Sequence, residues 1–229
     1  GGWFADGANS EYGDKSQSYS RFIGRATFLP NARKHKDDTI LIHLGASASH
    51  MFSADTGVRY LTRPESILAP ILVDTGDLGG DRAFVYGLEA AWVAGPWSIQ
   101  VEGLGSFADD SNNSPHHFFG TYLASSLFLT GESKPYNKGL GIFSGITPRY
   151  GFSLRNGTWG AVELAGRFSY TDLTDGDIRG GVMAIGSGGL NWYFTHRHRL
   201  MFMGGYTDVT ESANDGSFLF FQTRFQLEF

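Results

Sequence analysis

The sequence predicts an all-β protein, an antiparallel transmembrane β-barrel, and two observations carry that prediction. Apolar and polar residues alternate with a period of two in segments of roughly ten residues, separated by clusters of Gly, Asp, Asn and Pro. The composition is rich in Gly (32 of 229 residues) and aromatics (15%) but has only 18% charged residues, against about 25% in an average soluble domain. Such a chain suits a barrel whose outer face meets lipid.

Helical insertion is excluded by the length of the apolar runs. Residues 67–73 form one of the longest such runs, and Pro70 interrupts it. A spanning helix needs about 20 predominantly apolar residues. Because lipid offers the backbone no hydrogen-bond partners, only helices and closed barrels can cross it.

The alternation is clearest in residues 218–229. One face carries Leu219, Phe221, Phe225, Leu227 and Phe229, and the other carries Gln222, Arg224, Gln226 and Glu228. The pattern recurs in residues 19–28, 39–49, 83–94, 97–107, 158–171, 184–195 and 199–209. It is weaker in residues 58–63 and 118–130, and residues 1–4 and 71–74 are ambiguous. The sequence therefore predicts ten to twelve strands.

A soluble β-sandwich would also alternate, but three features disfavour it. The segments are longer than the usual strand of about five or six residues. Their apolar faces mix large aromatics with Gly and Ala, and their polar faces carry charges in mid-strand.

The connections should alternate in length, since periplasmic turns are short and extracellular loops are long in such barrels. Residues 95–96 and 195–198 are short connections, whereas 108–115, 172–181 and 208–217 are predicted to be longer loops. Four tryptophans fall near the inferred periplasmic ends of the strands: Trp92, Trp97, Trp159 and Trp192. Residues 131–157 break the rule, because they are long yet lie on the periplasmic side.

The composition also limits the functions that the chain can have. The chain has no cysteine, which excludes disulfides and thiolate metal sites, and its formal net charge of −5 argues against a nucleic-acid partner. No nucleophile–base constellation or phosphate-loop context is present, and the His clusters lie in turns. We therefore expect no enzyme activity, no cofactor and no metal.

Several stretches resemble the phosphate-selective porin O and P family in order and spacing. They are GRATFLP (24–30), HLGASASH (43–50), RPESILAP (63–70), VDTG (73–76), GLEAAWVAGP (87–96), LTGESKPYN (129–137), WGAVELAGRFSYTDL (159–173), LNWYF (190–194) and the ending 225–229. The resemblance implies a 16-stranded porin of the Gram-negative outer membrane, usually a homotrimer, that passes small anions along a ladder of arginines. It also implies that residues 1–229 are the C-terminal portion of a single barrel domain, without its N-terminal strands and constriction loop.

The permeation candidates follow from the face assignments. Seven basic residues are predicted to face the lumen: Arg21, Arg25, Arg59, Arg63, Arg167, Arg199 and Arg224. Four acids join them: Glu89, Glu102, Glu163 and Glu228. The inferred lumen is thus +3 while the whole chain is −5. Such a field would attract anions.

Arg21/Arg25 and Arg59/Arg63 are the leading candidates, each pair being four residues apart, with Arg199 and Arg224 weaker. Arginines that only brace the wall are the alternative. The four-residue spacing of Arg167 and Glu163 indicates such a structural pair.

Two further interpretations concern partners. Phe225, Leu227 and Phe229 resemble the terminal signal read by the outer-membrane assembly machinery, although a last lipid-facing strand would carry the same residues. Membrane lipid and lipopolysaccharide would surround the barrel. A passive anion channel, possibly phosphate-selective, is the leading function. A broad-specificity porin and a structural barrel within a larger outer-membrane assembly are the alternatives.

Overall fold

The computed structural model describes residues 1–6, 19–35, 38–53, 57–66, 68–212 and 215–228. The strands, in chain order, are β1 (Gly2–Asp6), β2 (Tyr19–His35), β3 (Asp38–Ser53), β4 (Leu61–Thr62), β5 (Val73–Asp74), β6 (Gly79–Ala94), β7 (Trp97–Asp110), β8 (Pro115–Phe128), β9 (Tyr136–Asn137), β10 (Ile142–Phe143), β11 (Ala161–Asp175), β12 (Ile178–Tyr193), β13 (His198–Thr210) and β14 (Gly216–Leu227). Within these residues there is no helix that is long and apolar enough to cross a membrane.

Ten strands form one antiparallel sheet in the order β1-β2-β3-β6-β7-β8-β11-β12-β13-β14. The other four form two short ladders, β4 with β5 and β9 with β10. Apart from β1, the strands of the sheet run for 12 to 17 residues, long enough to cross a bilayer when tilted. The predicted all-β antiparallel architecture and its strand count are confirmed.

The two faces of the sheet differ as the period-2 pattern predicts. One face exposes large apolar side chains, including Phe22 (53% exposed), Leu88 (66%) and Phe221 (85%). On a soluble domain so large an apolar surface would demand a partner, and lipid supplies one. We call this the outer face. Phe84, Leu164, Trp192, Phe202 and Phe225 also point outward, whereas Arg25, Glu89, Arg167 and Arg224 occupy the opposite, inner face, where the polar contacts lie.

A β-bulge in β2 reverses the alternation of that strand. Leu29 and Pro30 together stand opposite His43, between the pairs Phe28–Leu44 and Asn31–Ile42. Proline lacks an N–H and is tolerated in a sheet at such a bulge. Arg33 is consequently paired with the outward-facing Ile40, although a strict period of two from Arg25 would place it inside.

Two predicted loops are instead tight turns at the tips of long strands. β7 and β8 continue to Asp110 and from Pro115, and β11 and β12 are joined by residues 176 and 177 alone. In the first turn the Asp110 carboxylate accepts hydrogen bonds from the Asn112 and Ser114 amides, and Asn113 has a positive φ of 60°. The polar composition that suggested long loops therefore serves turn chemistry.

The sheet is open in the part of the chain that the structure describes. β14 pairs with β13 and β1 pairs with β2, and the two edge strands do not pair with each other.

Candidate functional site

Two segments pack on the inner face of the sheet and form the candidate site with it. The upper segment, residues 57–66 and 68–78, lies between β3 and β6 in the chain, and the lower segment, residues 129–160, connects β8 to β11. Arg59 and Arg63 were predicted to lie on a wall strand, and this is wrong: both belong to the upper segment, whose β4–β5 hairpin lies apart from the main sheet.

The burial of apolar side chains explains why the upper segment folds onto the inner face of the sheet. Val58, Val73 and Leu78 are buried in a cluster with inner-face residues such as Phe118 and Ile185. Burying such side chains contributes roughly 1.5–3 kcal/mol each. A segment that carries three of them is therefore more stable against the sheet than in solvent. The chain thus contains an inward-folded segment of its own.

The β4–β5 hairpin is braced by an ion pair between Arg59 and Asp74. Arg59 Nε donates to Asp74 Oδ1 at 2.8 Å, and the second guanidinium nitrogen donates to Oδ2. The hydrogen bond from Arg59 is the main cause of the lowered pKa of Asp74, and the Gly76 amide lowers it further. The pKa of Arg59 is raised in turn by Asp74.

Glu65 connects the upper segment to β11 and β12. Its Oε1 accepts from Arg167 Nε at 2.7 Å and from Ser169 Oγ at 3.4 Å, and its Oε2 accepts from Ser187 Oγ at 2.6 Å. The predicted pairing of Arg167 with Glu163 is wrong. Although the two residues share a face of β11, Glu163 is engaged elsewhere and the upper segment brings a carboxylate to Arg167.

Two cavities flank this contact. One of about 220 Å³ extends toward Lys134 and Asn191, and one of about 290 Å³ extends toward Arg63 and Glu102. Glu65 and Arg167 line both. The ion pair of Glu65 with Arg167 therefore lies between two cavities on the inner face, each large enough to hold several water molecules.

The lower segment reaches the wall through buried polar groups. Lys134 Nζ lies 3.2 Å from Ser126 Oγ and 3.6 Å from Glu163 Oε1. Glu163 is only 3% exposed, and its Oε2 accepts from Asn191 Nδ2 at 3.0 Å and from the Tyr193 hydroxyl at 2.8 Å. The carboxylate is thus compensated on both oxygens, as a buried charge requires.

A second polar chain joins the lower segment to β2, β3 and β6. The Tyr136 hydroxyl lies 2.6 Å from His43 Nδ1, and His43 Nε2 lies 3.0 Å from Glu89 Oε1. The same oxygen accepts from Arg25 Nε at 3.0 Å. Gly45 makes room for Glu89, since a Cβ there would lie 2.2 Å from the carboxylate. Arg25 also donates to the Gly141 carbonyl at 3.1 Å.

The remaining predicted arginines are spread over the inner face. Arg21 Nε donates to the Ser49 hydroxyl at 2.8 Å. Arg199 donates to Gln226 Oε1 from two nitrogens, at 3.0 and 2.6 Å. Arg224 is exposed on the edge strand β14, and Arg63 is exposed beside the larger cavity. The structure gathers Arg63 and Arg167 at one site but does not bring the six candidates into a single cluster.

The four tryptophans near the strand ends lie in two pairs. Trp92 contacts Trp97, and Trp159 contacts Trp192, with ring centroids 6.0 and 6.4 Å apart. Phe225 and Leu227 are exposed on the outer face. Phe229, the third residue of the proposed assembly signal, lies outside the described residues.

Four residues of the site were missed by the sequence reasoning: Glu65, Lys134, His43 and Tyr136. All four lie in stretches that carried the family resemblance. Glu65 lies in RPESILAP, Lys134 and Tyr136 lie in LTGESKPYN, and His43 lies in HLGASASH. Apart from Ser126, which is eight residues from Lys134, the side-chain partners described above are 29 to 122 residues away in sequence. No periodicity could have indicated those contacts.

An antiparallel sheet with an apolar outer face and a polar, charged inner face is the arrangement expected for the wall of an outer-membrane β-barrel. Comparison with known proteins agrees. The chain belongs to the phosphate-selective porin O and P family, whose model matches residues 1–229. Members of this family are channel proteins of the outer membrane.

Two curated relatives show how much of a longer protein the chain represents. It is 33% identical over 204 residues to an uncharacterized protein of Caulobacter vibrioides, covering 84% of this chain and 39% of that protein. It is 26% identical over 262 residues to Porin O of Pseudomonas aeruginosa, covering 99% of this chain and 58% of that protein. The chain thus spans about half the length of these relatives.

Proposed function

We propose that this chain forms the C-terminal portion of a passive outer-membrane channel for small anions, with phosphate among its ligands. The observation that carries the proposal is the direction of the arginines. Arg21, Arg25 and Arg167 lie on the face that the two segments cover. Phe22 and Phe168, next to Arg21 and Arg167 in sequence, are exposed on the outer face. Guanidinium groups supply paired donors to a phosphate oxygen, and charges of one sign in a narrow pore concentrate their counter-ions.

The open sheet supports a barrel larger than the described strands. Unpaired strand edges are not tolerated in lipid, so strands outside this chain would join β1 to β14 and complete a 16-stranded barrel domain. We extend the proposal to a homotrimer surrounded by lipid and lipopolysaccharide. Phe225, Leu227 and Phe229 would be read by the outer-membrane assembly machinery.

A broad-specificity porin is the second candidate, and a specific observation favours it. Arg25, Arg59 and Arg167 each contact a carboxylate, from Glu89, Asp74 and Glu65 respectively. Such pairing reduces the positive field that an anion would experience. Under this alternative Arg21 and Arg25 brace the wall, and the channel discriminates weakly between ions.

The test is the ratio of Cl⁻ to K⁺ permeability of the full-length protein in planar bilayers, with phosphate block of the chloride current as a second readout. Arg21→Gln and Arg25→Gln should each lower the ratio, because each removes one positive charge from the inner face and Arg25→Gln also leaves the Glu89 carboxylate less compensated. Arg33→Gln is the matched control: it removes the same charge from the same strand, but on the outer face. Equal effects of Arg21→Gln and Arg33→Gln would contradict the proposal and favour the broad-specificity alternative.

A further inference from the structure

We propose that Glu65 is a tethered anion: its carboxylate occupies an oxyanion site built on the wall by Arg167, Ser169 and Ser187, and permeating phosphate displaces it. This inference rests on the proposed function and deepens it by naming a binding site. The three donors come from adjacent strands, since Arg167 on β11 is directly opposite Ser187 on β12. Directly opposed residues lie side by side on one face of a sheet.

The donor set fits an oxyanion. One guanidinium and two hydroxyls converge on the two oxygens of Glu65 at distances from 2.6 to 3.4 Å. An external phosphate presents the same kind of acceptor oxygen with more charge. Charge-assisted hydrogen bonds from arginine to such oxygens are stronger than those between neutral groups.

The site would persist after the carboxylate leaves. The Arg167 guanidinium lies over the Tyr122 ring at 3.9 Å from its centroid, and the Tyr122 hydroxyl accepts from Gln100 Nε2 at 2.7 Å. Stacking on an aromatic ring stabilises a cation in place. Arg167 is therefore held in position by the wall itself as well as by Glu65.

The carboxylate can move without the upper segment leaving the wall. The backbone carbonyl of Glu65 accepts from Gln222 Nε2 at 3.1 Å, and the Leu72 carbonyl accepts from Ser212 Oγ at 2.8 Å. These contacts anchor the segment on either side of its turn. A rotation of the Glu65 side chain is then sufficient to expose the Arg167 donors to either cavity.

Competition by the Glu65 carboxylate would also help bound phosphate to leave the site. Binding must favour entry yet allow the ion to leave, and a short tether holds its group at an effective concentration in the millimolar range. Phosphate moving from one cavity to the other would replace Glu65 at Arg167. The returning carboxylate would then expel it.

The experiment is phosphate block of chloride current through the full-length protein, with folding checked by heat-modifiable mobility. Removing a competitor held at a millimolar effective concentration should lower the half-blocking phosphate concentration about tenfold in Glu65→Gln. Glu65→Asp should act in the same direction, because the shorter side chain no longer reaches all three donors while the charge is unchanged. Adding Arg167→Gln or Ser187→Ala to Glu65→Gln should reverse the gain.

Glu102→Gln is the matched control, since Glu102 lines the same larger cavity but contacts the Tyr122 hydroxyl and not an arginine. An equal gain in Glu102→Gln, with none in Glu65→Asp, would mean that only lumen charge matters and would overturn the tethered site. Unchanged block in both Glu65 variants of an anion-selective channel would overturn it as well. A wild-type channel that prefers K⁺ and shows no phosphate block would instead refute the proposed function.

Discussion

The two segments that enter the lumen are held by different kinds of contact. The upper segment packs on an apolar cluster and contacts the wall through the ion pair of Glu65 with Arg167, whose side chains are 16% and 43% exposed. The lower segment reaches the wall through Glu163 and His43, which are only 3% and 5% exposed. Exposed ion pairs contribute little to stability, whereas buried charges are costly to leave without a partner. The contact between Glu65 and Arg167 is therefore suited to exchange with permeating ions. The buried contacts of Glu163 and His43 are suited to holding the lower segment on the wall.

The largest effect that would sharpen this comparison is expected at Glu163. Glu163→Ala leaves Lys134, Asn191 and Tyr193 without their common acceptor. Breaking a buried ion pair in this way lowers the free energy of unfolding by about 3–5 kcal/mol. Because the Lys134 side chain is partly exposed, we expect a loss near the lower figure. Urea unfolding of the refolded protein in detergent measures the loss. Glu65→Ala is the comparison, and it should lose less, because the Arg167 guanidinium that it leaves is 43% exposed and can be solvated. Similar losses in the two variants would break the proposed contrast.

A smaller effect is expected at His43, which links Tyr136 of the lower segment to Glu89 of β6. His43→Leu deprives both groups of a partner and should destabilise by about 1–3 kcal/mol. The lower segment should also open locally, which trypsin would report by faster cleavage at the exposed Lys138. Tyr86→Phe is the control, because it removes a tyrosine–histidine contact on the outer face. Cleavage at an unaltered rate in His43→Leu would show that the segment is held by its other contacts.

The smallest effect is expected for the hairpin of the upper segment, through Asp74. Because its pKa is lowered by Arg59 and the Gly76 amide, the contribution of the ion pair is fully present above the ordinary Asp value of about 3.9. It is lost as the pH falls through the lowered value. An exposed pair of this kind contributes little to stability, because solvent screens it.

Asp74→Asn should reproduce the acidic state at neutral pH. Hydrogen exchange followed by mass spectrometry should then show faster exchange at Tyr60 and Thr75, whose backbone groups connect the hairpin. Peptides of the lower segment serve as the internal reference and should be unaffected. Protection at Tyr60 and Thr75 equal to that of the wild type would show that the apolar cluster alone holds the hairpin.

The period-2 alternation of the sequence predicted the strands of the wall but not the two segments that pack against their inner face. The alternation of Phe22 with Arg21, or of Leu164 with Glu163, specifies which face each side chain takes, since a strand has a period of two. The same rule would have misplaced Arg33, because the bulge at Leu29 and Pro30 reverses the alternation. It also assigned residues 58–63 to the wall, since a short alternating stretch looks the same in a wall strand and in an inward hairpin.

The sequence by itself thus determined the class of protein, the strands of the wall and the direction of most of their side chains, because these depend on neighbours one or two residues apart. Only the tertiary structure decided which charges meet. Glu65 finds Ser187 at a separation of 122 residues, and Tyr136 finds His43 at 93. Such contacts depend on how connecting segments fold back across the sheet. That course is set by the burial of Val58, Val73 and Leu78 and by the compensation of buried charges, which no local period records.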